Sequence, residues 1–563
     1  MDTTPIRMFA LRAQRSGRRC IGLAAFVLLA VCATANAQNN SCPNGFDDTP
    51  ALKTHLSQDD IAGGKLSFKQ VFDQGRRLFI TNFNKCDGAG RPGTNGAAGV
   101  HGVGNPRALD PLKAPRFTGI AGPDSSSCAS CHSEPEVGGA ASFRGNLFSP
   151  AEDCNPVVPG VVIGASIFGV LNASRPCKDF IPTVSDGFFN LFTERGSLGL
   201  FGSGAIELLS REMTDDLQKI QSDAKAQAQK DNAPVTVDLV TKGVNFGKLT
   251  ARVDGTFDTS QVDGVSPDLV VRPMGRKGQN KSIRHFSLEA FNRHLGMQPD
   301  EALEQVAAGN TDPDLDGVTH ELTTGDITAV MVFEAALPVP RRVTKLTKAE
   351  REQADRGEQV FSSVGCVNCH MPSLPLRSTM YCEPNPRNND GDFRDTTKSF
   401  CFDLKKTSGL GKDGVVHAFT DLKRHAICDP TKPYDPVTNH FCDDPPLGPT
   451  PATDKTGPGP AGAVDRPKYY QFLTAKLWDT GNSGPWGHRN DLDTIYEAIT
   501  AHGGEAAPVT AAFEALPDSD QAAIVAFLKT LRMPIMKDNP LPQEEDSPSA
   551  PNPAGALARR AAP

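Results

Sequence analysis

Cys128-Ala-Ser-Cys131-His132 and Cys366-Val-Asn-Cys369-His370 each place two thiols and an imidazole within five residues. At C-x-x-C-H spacing the thiols form thioethers to the vinyl groups of a haem, and the adjoining His supplies the proximal iron ligand. With 14 Cys and 12 His in 563 residues, chance yields roughly 0.007 such motifs. The competing reading, two disulfide half-pairs each followed by an unrelated His, needs that coincidence twice. The motifs predict two covalently bound haem c groups, one on Cys128, Cys131 and His132, the other on Cys366, Cys369 and His370.

Attachment of this kind takes place outside the cytoplasm, and the N-terminus agrees. Arg12, Arg15, Arg18 and Arg19 precede an apolar run at 21–33, and Ala35-Asn36-Ala37 forms a small-x-small cleavage site. Residues 1–37 therefore read as a signal peptide, and the chain is expected in the periplasm or secreted. The run is shorter than a bilayer span, so no membrane span is expected once it is removed. Cys32 offers a lipoprotein alternative, against which stands the bulky Val31 before it. Without the signal the net charge changes from −8 to −12, which gives no footing for nucleic acid. Besides the haem cysteines, Cys42, Cys86, Cys154, Cys177, Cys382, Cys401, Cys428 and Cys442 remain, an even set that reads as up to four disulfides. Sequence neighbours, such as Cys154 with Cys177 and Cys428 with Cys442, are the expected partners.

Positioning the motifs requires a mainly α fold: two cytochrome c-like haem domains with long loops and few short strands. Apolar periodicity predicts helices at 65–80, 205–226, 286–294, 325–336, 347–361, 492–502 and 519–531, with short strands at 236–240 and 249–253. Each motif follows a helix and a loop, at 65–80 before Cys128 and at 347–361 before Cys366. The prolines at 338 and 340 break periodic structure between them. The expected division is an N-terminal haem domain at 38–343, a C-terminal haem domain at 344–535 and a disordered tail at 536–563.

Further strings resemble a known family. They are Gly122 to His132, Glu194-Arg195, Gly202 to Met213, Gly275-Arg276-Lys277, Leu477-Trp478-Asp479-Thr480-Gly481, Gly487-His488-Arg489, and Glu497 to Glu505 with its His502-Gly503-Gly504-Glu505 end. Over most of residues 65–533 the chain resembles the dihaem oxidoreductases of peroxidase type. These are related to bacterial dihaem cytochrome c peroxidases, the MauG enzymes and the rubber oxygenases. The resemblance implies that the haem at His370 receives electrons from a small cytochrome c or cupredoxin, and that the haem at His132 is the catalytic one, reducing a hydroperoxide.

It also implies distal groups. His502 matches the second ligand of the C-terminal haem, with Tyr496 as a rival; the alternative is a His⁺ favoured by the helix C-terminus. His488 matches a position near that haem, or else is a surface-loop histidine. At the N-terminal haem, His294 falls where the peroxidases carry a glutamate; it is expected as general base, as a closing iron ligand, or as a packed helix-face residue. Met274 falls near the tryptophan that lies between the haems in those enzymes, leaving Trp478 or Trp486 to serve instead. Glu207 and Arg211, at i and i+4, read as a surface ion pair or as a polar cluster over the catalytic haem. Arg195 and Arg276 are candidates for haem propionates.

One motif is independent of haem. Asp312, Asp314 and Asp316 alternate before Gly317, as in a Ca²⁺ loop; Thr323 stands where an EF-hand has Glu, and Glu321 is the candidate substitute. The other reading is a solvated acidic turn. Three functions follow from the whole: a peroxidase-like oxidoreductase, an oxygenase cleaving an apolar substrate as rubber oxygenases do, or an electron-transfer cytochrome without catalysis.

Overall fold

The computed structural model describes residues 49–89, 125–141, 193–301, 318–385, 395–429, 471–488 and 490–535, with short pieces at 145–147, 162–163, 168–169 and 387–388. The fold is mainly α. Its described helices include α1 (Gln58–Ala62), α2 (Phe68–Ile80), α3 (Ser203–Asp231), α4 (Ile283–Ala290), α5 (Thr324–Ala336), α6 (Lys348–Val364), α7 (Ile495–Thr500), α8 (Ala507–Glu514) and α9 (Asp518–Lys529). Several starts are written into the sequence. Ser67 with Gln70, Thr323 with Asp326, Thr347 with Glu350 and Thr494 with Glu497 all close capping boxes, satisfying N–H groups that a first turn leaves open.

Two apolar cores organise the helices. Around α5 twelve of thirteen residues are buried, so this helix is the centre of the first core rather than one of its walls. Helices α2, α3 and α4 pack on it. The second, smaller core joins Val360, Phe361, Phe419, Phe513, Ile524 and Phe527 from α6, α8, α9 and the segment before Leu422.

One packing device occurs in both cores. Gly75 of α2 lies against α5, where a Cβ would stand 1.9 Å from the Ala329 carbonyl oxygen and 2.9 Å from Phe333 Cβ. Gly357 of α6 lies against α9 in the same way: 1.9 Å from the Ala523 carbonyl oxygen and 2.9 Å from Phe527 Cβ. Only a residue without a side chain lets the helix backbones come this close. Four residues after each glycine, Phe79 and Phe361 stack on Phe333 and Phe527 with ring centres 5.1 and 5.6 Å apart. The same two phenylalanines lie 6.2 Å from the His132 ring and 6.4 Å from the His370 ring. Each C-x-x-C-H histidine is thus seated by one crossed helix pair.

Strands are short. An antiparallel sheet of β1 (Val235–Thr241), β2 (Val244–Ala251) and β3 (Phe257–Asp258) follows α3. After the prolines, part of the chain returns to the first core: Leu374, Tyr381, Phe402, Leu404, Leu410 and Val416 all pack there. This segment carries the hairpin Met380–Glu383 with Phe400–Asp403, stapled by the Cys382–Cys401 disulfide. Cys86 and Cys428 are also disulfide-bonded, to partners outside the described residues; the expected Cys154–Cys177 pair, and Cys442 of the expected Cys428–Cys442 pair, lie outside the described residues. Among the described cysteines, only the four of the C-x-x-C-H motifs are outside a disulfide. No helix among the described residues is long and apolar enough to cross a membrane.

Candidate functional site: two anchored histidines and what faces them

In the N-terminal site, Cys128–Ser130 forms a single 3₁₀ turn, and the His132 amide closes back on the Cys128 carbonyl at 3.0 Å. His132 Nδ1 lies 3.1 Å from the Gly139 carbonyl and 3.0 Å from the Leu198 carbonyl. Both are acceptors, so Nδ1 carries the proton and Nε2 keeps its lone pair. Burial pushes the imidazole down to about 4, the two carbonyls oppose this, and His294 lowers it further. The ring is neutral at physiological pH, the form that ligates a metal.

The C-terminal site repeats the arrangement. Gly365, at φ 106°, ends α6 and turns the chain into the Cys366–Asn368 turn. His370 Nδ1 donates to the Phe419 carbonyl at 3.1 Å. Burial, then His502, pushes His370 down to about 4, opposed by the Phe419 and Ala475 carbonyls among others. His502 stands just past α7, with Nδ1 donating to the Ala498 carbonyl at 2.7 Å. Burial lowers its pKa too. Its burial disfavours the charged form that a helix C-terminus would favour.

The His370 and His502 rings are 6.4 Å apart, centre to centre. An iron bound on both sides at about 2.0 Å, with roughly 1.1 Å from each nitrogen to its ring centre, needs about 6.2 Å. Each Nδ1 donates to a backbone carbonyl, so Nε2 is the nitrogen of each ring that could ligate that iron. A haem fits here by donor chemistry and by spacing. The buried indole N–H groups of Trp478 and Trp486 have no partner among the described residues, as expected of donors meant for the carboxylates of a bound group.

The His502-Gly503-Gly504-Glu505 string has a structural account. The Gly503 amide donates to the Ile427 carbonyl at 2.9 Å, and a Cβ on Gly504 would lie 2.1 Å from the Ala426 carbonyl oxygen. Glu505 accepts from the Ala426 amide at 2.9 Å and from His425 at 2.8 Å. His425 also reaches Asp421 at 2.9 Å. Burial alone would lower the His425 pKa, but hydrogen bonds to Asp421, Cys369 and Glu505 raise it to about 11. His425, held between Asp421 and Glu505, thus ties the segment bearing His502 beside the second attachment motif. The spacing of Asp421 and His425 at i and i+4 was the only hint in the sequence, and it was missed.

Other expected residues fall as follows. His294 sits in a π-helical turn, Phe291–Leu295, closed by Gly296 in the left-handed region. Such turns occur often at functional sites. Its carbonyl accepts from the Ser125 amide, just ahead of Cys128, at 3.2 Å, so His294 and His132 belong to one site. Tyr496 is 44% exposed and packs on Phe513, which removes it from the iron. His488 is buried, edge-on to Phe472 at 5.2 Å, and is not a surface-loop residue. Arg276 donates to Asn490 at 3.3 Å.

Trp478 is buried. It packs on Gly202, where a Cβ would stand 2.4 Å from its ring. Gly202 follows Leu198, whose carbonyl holds His132, and Trp478 follows Ala475, whose carbonyl faces His370. Met274 is only partly buried at the edge of the first core.

The surface ion pair expected of Glu207 and Arg211 is a correction: Glu207 is fully buried. Arg211 donates to it at 2.6 Å, Tyr381 at 3.1 Å and the Ile283 amide at 2.9 Å. Neighbouring Arg284 binds Glu301 at 2.5 Å and Glu383 at 3.1 Å. Glu207 and Arg211 belong to a buried network that ties α3 and α4 to the hairpin after the prolines. Asp312, Asp314 and Asp316 lie outside the described residues, as do the side chain of Arg195 and all of Arg489. Glu321 is buried, accepting from the Gln298 amide at 2.7 Å. No protein-family model matches the chain, and no curated protein matches it.

Proposed function

We propose that this chain is a periplasmic dihaem c-type oxidoreductase of two cytochrome c-like units, which reduces a hydroperoxide with electrons from a small cytochrome c or cupredoxin. The observation that carries the reading is the 6.4 Å separation of His370 and His502, each anchored through Nδ1. The repeated glycine-and-phenylalanine seat under His132 and His370 supports two such units. When bound, the haems supply one-electron transfer and O–O bond cleavage, with entry at the C-terminal site and consumption at the N-terminal one.

The chain's own residues hold and orient. His370 and His502 present two nitrogens and close the C-terminal site to small ligands. His132 presents one nitrogen, and His294, whose charge acts on His132, would move a proton between the two oxygens of a hydroperoxide. Trp478 bridges the segments holding His132 and His370. Asp312, Asp314, Asp316 and Glu321 are the proposed Ca²⁺ ligands, on spacing alone.

The closeness of His294 to His132 also favours a second reading, in which His294 ligates and the chain only carries electrons. Cyanide binding by the purified protein separates the two: peroxidase and oxygenase both bind it, while a carrier with both irons closed does not. Hydroperoxide-dependent oxidation of a reduced cytochrome then selects the peroxidase over an oxygenase acting on an apolar substrate. His294→Ala is expected to abolish that turnover; full turnover in the variant returns His294 to a packing role.

A further inference from the structure

The buried network beside the N-terminal site holds four carboxylates: Glu207, Glu301, Glu383 and Glu334. Three are bound by guanidinium groups, Glu207 by Arg211, Glu301 by Arg284, and Glu383 by both. Glu334 differs. Its only hydrogen bond among the described residues comes from the Ser287 hydroxyl, at 3.2 Å to one oxygen and 3.4 Å to the other. A buried carboxylate without a cation is costly, and taking up a proton relieves that cost. Burial accordingly pushes Glu334 up to about 8, Ser287 opposing and the charge of Glu207 adding.

Its place in the fold gives that proton a use. Glu334 follows Phe333 on α5; Phe333 stacks on Phe79, and Phe79 on His132. Glu334 also lies close enough to Cys128 for its charge to raise that thiol, after burial itself. Taking Cys128 and His132 to hold a haem, as proposed above, we propose that Glu334 takes up one proton from solvent when that haem accepts one electron. The electron removes one positive charge from the iron, and the proton neutralises one carboxylate. The net charge of the buried site is then unchanged, which is what a low-dielectric interior favours. The groups that act on Glu334 are the Ser287 hydroxyl from α4 and the charge of Glu207 from α3, and Glu334 in turn acts on Cys128. Glu383 is also pushed up by burial, but Arg284 and Arg211 oppose this; Glu334 has no guanidinium bound to it among the described residues, and is the member that exchanges.

The test is potentiometric, on the holoprotein. A ferric iron favours the ionised carboxylate, so the midpoint potential of the N-terminal haem should fall as pH rises through the Glu334 titration. Glu334→Gln keeps the Ser287 hydrogen bond and the neutral charge, and should make the potential independent of pH there. Ser287→Ala leaves Glu334 in place but removes the bond favouring its ionised form, so the same fall should move to higher pH. An unchanged pH dependence in Glu334→Gln, with both haems present by absorption, overturns the proton coupling and leaves the proposed function standing. A wild-type chain with no covalent haem overturns both.

Discussion

His370 and His502 face each other at 6.4 Å, 132 residues apart in sequence, and each ring is fixed by a backbone carbonyl on its far nitrogen. Such rings do not need to reorganise to take a shared iron. His502→Ala is therefore expected to convert one low-spin haem to high-spin and open it to cyanide, read by electron paramagnetic resonance. An unchanged low-spin signal removes His502 from the iron.

Gly75 and Gly357 should be equivalent in consequence and separate in location. Alanine at either puts a Cβ 1.9 Å from a backbone carbonyl, forcing a helix pair apart at about 1–3 kcal/mol. Urea denaturation should show that loss for both variants. The His370 low-spin signal should broaden in Gly357→Ala and stay sharp in Gly75→Ala; equal effects on both haems contradict two independent seats.

Arg284 is fully buried and serves two carboxylates. Arg284→Leu leaves Glu301 and Glu383 without that cation, and is expected to cost about 3–5 kcal/mol in chemical denaturation. A loss below about 1 kcal/mol, the range of an exposed pair, contradicts the picture of a buried network.

His425 sets an alkaline dependence. Its folded pKa, about 11, lies above its ordinary 6.5, so its stabilisation is full below about 6.5 and fades as pH rises towards 11. Glu505, whose pKa is lowered by His425, contributes above its ordinary value and loses that as pH falls through its folded one. The difference in melting temperature between wild type and Glu505→Gln should thus be largest in mildly acidic to neutral solution and shrink on the alkaline side. Parallel melting curves at all pH values contradict the clamp.

The sequence was most legible where chemistry or capping repeats locally. The two attachment motifs and the helices follow from spacing, since capping boxes and 3.6-residue periodicity are local signals, whereas His502 was implied by the family resemblance alone. Glu207 with Arg211 stayed open between a surface pair and a polar cluster because i, i+4 spacing looks the same on a solvated face and a buried one. Tyr381, Glu383 and Arg284, which decide that question, come from distant stretches. The equivalence of Gly75 and Gly357 was hidden for another reason: each glycine matters through a carbonyl on a helix more than 160 residues away. The π-turn that aims His294 has no composition of its own.

All of this depends on the two C-x-x-C-H motifs carrying haem, and intact mass under denaturing conditions measures that directly. The predicted result is the polypeptide plus two haems, falling to one when Cys366 and Cys369 are both changed to Ser. The mass of the unmodified polypeptide, in protein matured in a periplasm with haem-attachment machinery, contradicts the account.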